Sequence, residues 1–193
     1  MKTVTLVSNQ DNLADLDEFL LKAVAKGDHL AFRRLHSRYY TRVLNFSFRI
    51  VQKTDRAEEV ANDTMLAVWR GAAKFQGRAK VSTWIFSIAY RTAIKSKRFF
   101  LFERNQEQID DRFDLKDESV TPIETLFEHK RVQSALSELP AHLRAVVQLT
   151  YYDGMSYAEI AQIVGCAEGT VKSRMSRARE MLRGFLGEGT KEL

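Results

Sequence analysis

The sequence has a single cysteine, Cys166, and only two prolines and nine glycines among its 193 residues. One cysteine cannot form a disulfide within the chain or build a cysteine-rich zinc site. So few prolines and glycines favour long helices over many short strands. No apolar run approaches the roughly 18 residues that a membrane span needs, and the first residues lack the apolar core of a signal peptide. We therefore expect a cytoplasmic protein without a membrane span.

The sequence also lacks the usual signs of catalysis. It has no phosphate-binding glycine loop and no nucleophile elbow. The four histidines are scattered and do not have the spacing of metal ligands: His29, His36, His129 and His142. We therefore expect no catalytic residue, no metal, no cofactor and no small-molecule substrate. An enzymatic function has little support in the sequence.

Charge is present in abundance and is unevenly distributed. The net charge is +5, so a polyanionic partner is plausible but not required. Residues 70–104 hold nine lysines or arginines and one acidic residue, whereas residues 103–128 hold nine acidic and three basic residues. This segregation predicts separate surfaces with separate functions.

Residues 153–182 have the pattern of two helices joined by a tight turn. Ser156 can cap the first helix, with Glu159 as its capping-box partner. Gly165 can end it, because glycine adopts the left-handed conformation at low cost. The second helix has basic residues outside one apolar stripe, which consists of Val171, Met175, Ala178, Leu182 and Phe185. This pattern predicts a helix-turn-helix that places a helix end in a DNA major groove, although a basic face can also serve only as a solvated surface.

The residue identities in this region are more specific than its periodicity. They include Leu139-Pro140, Arg144, Ser156-Tyr157, Glu159-Ile160-Ala161, Gly169-Thr170-Val171-Lys172-Ser173-Arg174 and Arg177-Ala178-Arg179. With these residues the segment resembles the last domain of bacterial RNA polymerase sigma factors, and most of all the extracytoplasmic-function (ECF) group. The resemblance implies that this domain binds the −35 promoter element as duplex DNA. The residues that it assigns to this element are Ser156, Tyr157, Glu168, Thr170, Lys172, Ser173, Arg174 and Arg177.

A helix predicted from Asp55 onward has an apolar face and an acidic face. Asp55 and Glu58 have capping-box spacing, and the acidic face by itself is typical of a solvated surface with acids near a helix N-terminus. The segment also resembles the helix with which sigma factors bind the largest subunit of RNA polymerase. The polymerase-binding residues implied by this resemblance are Glu58, Glu59, Asn62, Asp63, Leu66 and Trp69.

A loop over residues 75–80 leads into a predicted helix over residues 81–100 that carries cations beside aromatic rings. Charges for phosphates and rings for bases are what single-stranded nucleic acid requires, although Trp84 also fits an apolar core. In ECF sigma factors this loop and helix melt the −10 element and hold a flipped base. The −10 residues implied by the resemblance are Phe75, Gln76, Arg78, Lys80, Trp84, Tyr90, Arg91, Lys95 and Arg98. Arg91 stands where the family commonly has asparagine.

The sequence therefore predicts an all-α fold of two small helical domains joined by a flexible acidic linker, the second domain ending in the helix-turn-helix. The expected boundaries are a disordered tail at 1–14, a front domain at 15–100, a linker at 101–123, a rear domain at 124–187 and a tail at 188–193. By resemblance to sigma factors the linker would pass through the polymerase near the RNA exit path. Its acidic composition is explained equally well if it is only a solvated tether between the domains.

By resemblance the chain is expected to be a sigma factor that binds core RNA polymerase, recognises the −35 and −10 elements, melts the −10 element and starts transcription of a stress-type set of genes. The same resemblance implies an anti-sigma factor as a partner. The alternative is a stand-alone helix-turn-helix regulator with a helical sensor domain, which would bind duplex DNA without polymerase.

Overall fold

The computed structural model describes the backbone of residues 7–104 and 123–187, and within these residues every regular element is a helix. This confirms the all-α prediction. The front bundle consists of α1 (Val7–Val24), α2 (His29–Val51), α3 (Thr54–Gly71), a 3-10 turn (Ala72–Lys74) and α4 (Val81–Arg104). The rear bundle consists of α5 (Ile123–Glu138), α6 (Ala141–Tyr151), α7 (Tyr157–Val164) and α8 (Glu168–Gly187).

Two helices extend beyond the expected domain limits. α1 begins at Val7, inside the segment that was expected to be a disordered tail, and α4 continues to Arg104, past residue 100. Adding a residue to an existing helix gains one hydrogen bond for each residue that is ordered, and α4 contains neither proline nor glycine. Residues 105–122, which form most of the expected linker, and the expected tail at 188–193 lie outside the described residues.

The start of α2 follows from a single side chain. Asp28 Oδ1 accepts hydrogen bonds from the backbone N–H groups of Leu30 at 2.8 Å and Ala31 at 3.0 Å. These bonds satisfy two of the N–H groups that a helix start leaves without partners. α2 is long and supplies the middle of the front core, with Leu35, Val43 and Phe46 fully buried.

The start of α3 differs from the sequence prediction. Gln52 ends α2 in the left-handed conformation, with φ 58°, and its N–H donates to the carbonyl of Phe48. The chain then turns at Lys53, which is the N-cap and makes no side-chain capping bond. The predicted capping box of Asp55 and Glu58 is therefore wrong, because this short connection starts the helix at Thr54. Asp55 lies in the first turn, where a negative charge still stabilises the helix dipole.

A buried carboxylate fastens α1 to α2. Asp17 is 7% exposed; it accepts a hydrogen bond from the hydroxyl of Tyr39 and another from Arg38 Nε at 2.7 Å. Burial raises the pKa of the Tyr39 hydroxyl, and the hydrogen bond to Asp17 raises it further. The Tyr39 hydroxyl is therefore held in the protonated form that donates to Asp17.

The front and rear bundles pack on each other. α4 contacts α7 and α2 contacts α6, and the buried apolar residues of both bundles form one cluster. Ile85, Phe86 and Ala89 lie on the front side of this cluster, and Leu143 and Ile160 lie on the rear side. The arrangement brings the predicted −10 helix close to the helix-turn-helix.

Candidate nucleic-acid interface

The acidic face of α3 is exposed, as the sequence predicted. Glu58, Glu59, Asn62 and Asp63 all face solvent, and Leu66 among them is 43% exposed. The opposite face packs inward through Ala57, Val60, Ala61, Thr64, Met65 and Val68. Glu59 lies within 3.1 Å of Arg56 Nη1, an exposed pair three residues apart that contributes little to stability. The structure therefore brings these residues together on one surface.

Trp69, the last residue of the predicted polymerase-binding set, is only partly exposed. Its ring stacks on His29 with 4.7 Å between ring centroids and meets Phe32 edge-on at 5.1 Å. Both partners lie on α2, and they continue into a stacked pair of His36 and Tyr40 at 4.7 Å. The sequence gave no prediction that His29 or Phe32 contacts Trp69. Their spacing of three residues on one helix face was the available signal.

The loop that precedes α4 carries the first group of predicted −10 residues. Gln76, Arg78 and Lys80 are exposed, and Gly77 has a φ of 67°, which favours glycine. Phe75 is half-buried against Trp84, with 5.3 Å between ring centroids. A Cβ added at Gly71 would lie 3.3 Å from the Trp84 ring, so this ring packs directly on the end of α3. Trp84 is thus both packed and partly exposed.

The basic face of α4 is smaller than its composition suggests. Arg91, Lys95 and Arg98 are exposed, and Tyr90 between them and the core is half-buried. Lys97, which the sequence pattern grouped with these cations, turns inward and donates to the carbonyl of Ile50 at 3.2 Å. Burial, with a smaller effect of the nearby Arg144, lowers the pKa of Lys97 to about 8. Lys97 is therefore a packing residue in this structure.

The helix-turn-helix forms as predicted. The Ser156 hydroxyl accepts a hydrogen bond from the N–H of Glu159 at 3.3 Å, and the Glu159 carboxylate accepts one from the N–H of Ser156 at 2.8 Å, which confirms the capping box. Gly165 ends α7 with a φ of 70°. α8 then buries Val171, Met175 and Ala178 against the rest of the rear bundle. Leu182 is only half-buried and Phe185 is 39% exposed, so the predicted stripe is buried along its first part.

The predicted −35 residues divide into two groups. The exposed group consists of Ser156, Glu168, Lys172, Ser173 and Arg177. All of them except Arg177, which is halfway along α8, lie near the start of α7 or α8. Tyr157, Thr170 and Arg174 are only partly exposed. Lys172 Nζ lies 3.1 Å from Glu168 Oε1, and the Ser173 hydroxyl donates to the carbonyl of Thr170. The exposed residues near the helix starts lie where a helix start can face the major groove.

Arg174 differs from the exposed group because it is partly buried. Its Nη1 is buried and makes no hydrogen bond within the described part of the chain. It lies close enough to His142 to help lower the pKa of that imidazole, after the larger effect of burial. It also lies near Tyr90 of α4. A residue predicted to contact DNA therefore lies partly buried where the two bundles meet.

Other kinds of site are not evident. In residues 7–104 and 123–187, no group of three His, Cys, Asp or Glu side chains could hold a metal ion. In the same ranges, no helix is both long and apolar enough to cross a membrane.

Comparison with known proteins decides between the two functions that the sequence suggested. A family model for Sigma-70 region 2 matches residues 35–99, and one for Sigma-70 region 4 matches residues 129–182. The ECF RNA polymerase sigma-E factor of Haemophilus influenzae is 30% identical over 179 residues, with 86% of this chain and 93% of the relative covered. The chain belongs to the ECF sigma factors. These proteins are transcription initiation factors that bind core RNA polymerase and promoter DNA.

Two other relatives of this sigma factor support the same family membership. The ECF RNA polymerase sigma factor SigM of Mycobacterium tuberculosis is 33% identical over 171 residues, covering 89% of this chain and 85% of the relative. RNA polymerase sigma-H factor of Pseudomonas aeruginosa is 29% identical over 185 residues, covering 86% and 91%. The comparisons support the sigma-factor function and do not support the stand-alone regulator.

Two solved structures share the fold of this sigma factor. The sigma factor RpoE of Bartonella quintana, in complex with the anti-sigma factor NepR, has a TM-score of 0.70 and 25% identity, with 81% of this chain and 96% of that chain covered. CnrH, in complex with the cytosolic domain of CnrY, has a TM-score of 0.69 and 25% identity, with 90% and 98% covered.

Proposed function

We propose that this sigma factor divides its contacts among three surfaces of the described residues. The acidic face of α3 binds core polymerase, the loop at 75–80 together with α4 binds the opened −10 strand, and α7 with α8 binds the −35 duplex. The front domain is assigned to about residues 15–100 and the rear domain to about 124–187. These assignments are supported by the family membership and by the exposure of most of the residues concerned.

One observation carries this proposal. The front bundle presents an acidic surface on α3 and a basic surface on the loop and α4, and the same chain has a capped helix-turn-helix. Cations suit the phosphates of promoter DNA, whereas an acidic face is repelled by them. The acidic face is therefore unsuited to promoter DNA, and we assign it to the polymerase.

The aromatic residues of the front bundle support a role in the opened strand. Phe75 and Trp84 form a partly exposed pair directly beside the exposed Gln76, Arg78 and Lys80. Rings stack on unpaired bases while cations hold the phosphates, and stacking on one base is worth about 1 to 3 kcal/mol. The pair and the loop together can hold a base that leaves the duplex.

An anti-sigma factor is proposed as a further partner. The support is that one similar structure is a sigma factor bound to the anti-sigma factor NepR. We place the protein in the cytoplasm, where polymerase and promoter DNA are found. A stress-type set of target genes is proposed on the family resemblance alone.

Runoff transcription tests the function directly. Purified core polymerase from the source bacterium should give discrete transcripts from sheared genomic DNA only when the chain is added. A variant in which Lys172 and Arg177 are both alanine should lose most of these transcripts, because it lacks two exposed cations of the helix-turn-helix. If the wild-type chain gave no transcript with core enzyme but protected a promoter by itself, the stand-alone regulator would be correct.

A further inference from the structure

The face of α4 that carries the predicted −10 cations has an aromatic ring at each end. Its residues follow one another at alternating steps of four and three, which places them on one stripe of the helix. They are Trp84, Ile88, Arg91, Lys95, Arg98 and Phe102. The first two are half-buried and the other four are exposed. Phe102 therefore extends this stripe beyond the predicted −10 residues.

Two phenylalanines near the end of α4 face solvent. Phe102 is 65% exposed, and Phe99, three residues before it, is 55% exposed. Side chains three residues apart are neighbours on a helix surface, so the two rings form one apolar patch. Within residues 7–104 and 123–187 neither ring belongs to the hydrophobic core or packs against it. The patch is therefore not explained by the folding of the front bundle.

Contacts on the opposite side of α4 fix the direction in which this patch points. Lys97 donates to the carbonyl of Ile50 at 3.2 Å, and the ammonium of Lys53 lies 4.3 Å from the centre of the Phe100 ring. Both contacts join α4 to the end of α2 and the turn that follows it. Because Lys97 and Phe100 lie on the side of the helix that faces the bundle, the stripe that ends at Phe102 faces away from it.

The charges beside the patch favour a nucleic acid as its occupant. Arg98 directly precedes Phe99 and lies one turn before Phe102, and Lys95 lies one turn before Phe99. Single-stranded DNA offers phosphates to cations and unpaired bases to rings, so it satisfies both parts of this surface. A protein partner would instead have to place acidic groups beside an apolar side chain.

The stripe is long enough to hold several nucleotides. The rise of an α-helix places the Cα atoms of Trp84 and Phe102 about 27 Å apart along the axis. A strand that keeps the duplex spacing of about 3.4 Å per nucleotide would place about eight nucleotides along this length, and a stretched strand fewer. The exposed cations lie between the two rings, where they can contact the phosphates of such a strand.

We propose that Phe99 and Phe102 form a second base-stacking platform for the opened promoter strand, at the opposite end of the α4 stripe from the Phe75–Trp84 pair. A phenyl ring stacks on any base, so this platform holds the strand without reading its sequence. The strand is then held at both ends, with its phosphates on the three cations of the stripe. This inference rests on the proposed −10 surface, which supplies the strand.

The first experiment maps base stacking in the open complex. 2-Aminopurine, an adenine analogue whose fluorescence falls when it stacks, is placed at one position after another across the opened region of a promoter identified by runoff transcription. We expect one position to become brighter when the holoenzyme carries Phe102→Leu, and a different position to become brighter with Phe75→Leu. Phe102→Tyr retains a ring and should leave the fluorescence low at the first position.

The same variants are compared for promoter opening. Loss of one stacked base corresponds to about five-fold or more in affinity, so Phe99→Leu combined with Phe102→Leu should lower open-complex formation several-fold. Leucine is apolar and favours a helix, and both sites are exposed, so the thermal midpoint should not change. Phe19→Leu, at a ring that is 67% exposed on α1, is the matched control and should open promoters like the wild type.

The second experiment identifies what lies on the patch. The photoreactive amino acid p-benzoylphenylalanine replaces Phe102, and the holoenzyme is irradiated in the open complex with labelled DNA. We expect a crosslink to one DNA strand. Gln76, exposed in the loop before α4, is the position at which the same amino acid should crosslink to DNA if the −10 surface is correct, and Phe19 is the position at which it should not.

Three results would overturn the second platform while leaving the −10 surface in place. One is a DNA crosslink from Gln76 but none from Phe102. Another is a crosslink from Phe102 to a polymerase subunit or to the sigma chain itself in place of DNA. The third is a 2-aminopurine scan in which Phe75→Leu brightens a position and Phe102→Leu brightens none. A wild-type holoenzyme that opens no promoter would instead count against the proposed function.

Discussion

Arg42 of α2 and Asp153 of the loop before α7 are 111 residues apart in the sequence and form an ion pair with 3.2 Å between Nη2 and Oδ1. Burial raises the pKa of Asp153, and Arg42 acts in the opposite direction. In such a pair the cost of removing the charges from water offsets much of their attraction. The net contribution of Arg42 and Asp153 to stability is therefore smaller than their attraction alone would give.

The acidic face of α3 gives the first prediction. Exchanging Glu59 and Asp63 for lysine should weaken binding to core polymerase, because it reverses the charge of an exposed surface. Both side chains are exposed, so the free energy of unfolding should change by less than about 1 kcal/mol. Co-purification with core enzyme measures the binding, and a chain with Asp15→Lys and Glu18→Lys on α1 is the matched control. If the variant co-purified with core enzyme as well as the control did, the acidic face of α3 would not be a polymerase-binding surface.

The second prediction concerns the helix-turn-helix in the complete holoenzyme. Arg174→Ala should cost about 1 to 3 kcal/mol and relax sequence preference at one −35 position, as expected of an arginine that reads a base. Lys172→Ala should weaken binding to all sequences alike and lower its salt dependence, because a phosphate contact carries no sequence information. Promoter affinity of holoenzyme on a panel of −35 variants measures both.

Arg183, exposed near the end of α8, provides the control for these substitutions. Arg183→Ala removes a cation from the same helix but far from its start, and it should leave sequence preference unchanged. An Arg174→Ala holoenzyme with the affinity and preference of the Arg183→Ala form would show that Arg174 does not read a base.

The third prediction concerns Arg91, which is exposed on α4. Arginine only donates hydrogen bonds, whereas asparagine both donates and accepts. We expect Arg91→Asn to lower open-complex formation about equally on all −10 variants, because the arginine holds a phosphate. Replacing residues 75–80 by the loop of another sigma factor should instead change which −10 base is preferred. A base preference that moved with Arg91→Asn, and not with the loop, would reverse these two roles.

The fourth prediction uses the buried amine of Lys97. Burial, together with Arg144, lowers its pKa from 10.5 to about 8 in the folded chain. Between these values the unfolded chain binds more protons than the folded chain, so the contribution of Lys97 to stability rises with pH. Below pH 8 the charged, partly buried Lys97 lowers the free energy of unfolding by its full amount. Above about pH 10.5 the amine is neutral in both states, and this destabilisation is absent. The urea midpoint should therefore rise less between pH 7.5 and 9.5 in Lys97→Met than in the wild type.

The pH dependence of the wild type contains contributions from many groups, so only the difference between the two chains is informative. Lys95→Met, an exposed neighbour on α4, should retain the wild-type pH dependence. Parallel curves for all three chains would mean that Lys97 is solvated.

The fifth prediction concerns the buried carboxylate that joins α1 to α2. Asp17→Ala leaves the Tyr39 hydroxyl without its acceptor in a buried position and removes the partner of Arg38. Leaving a buried polar group unpaired costs about 1 to 3 kcal/mol. Glu18→Ala removes an exposed pair with Lys22 and should cost less than about 1 kcal/mol. Chemical denaturation of the two variants compares these costs, and equal midpoints would show that Asp17 contributes no more than a surface charge.

Local signals in the sequence accounted for much of the fold. Asp28, Ser156, Glu159 and Gly165 act within a few residues of themselves, so a cap or a turn could be predicted from their spacing. Helical periodicity likewise separated the buried face of α3 from its acidic face. The start of α3 was missed because the left-handed conformation of Gln52 sets it, and glutamine gives no signal for a positive φ.

Contacts between distant segments could not be predicted in the same way. Arg144 was expected as part of a family motif, yet it is 4% exposed and donates to the carbonyl of Leu139. Lys97 and Arg174 belong to basic patterns along their helices, but Lys97 donates to the carbonyl of Ile50 within the front bundle and the Nη1 of Arg174 is buried. A pattern shows that a face is polar, but it cannot show which other surface covers that face.

The ring of Trp84 against Gly71 has a consequence for where a transcript begins. Through Trp84, which also contacts Phe75, the end of the helix proposed to bind polymerase packs against the start of the loop proposed to hold the −10 strand. In the proposed assignment, the front bundle keeps a fixed distance between its contact with polymerase and its contact with the −10 element. We expect the first transcribed base to lie at a constant distance from the −10 element on every promoter that this protein serves.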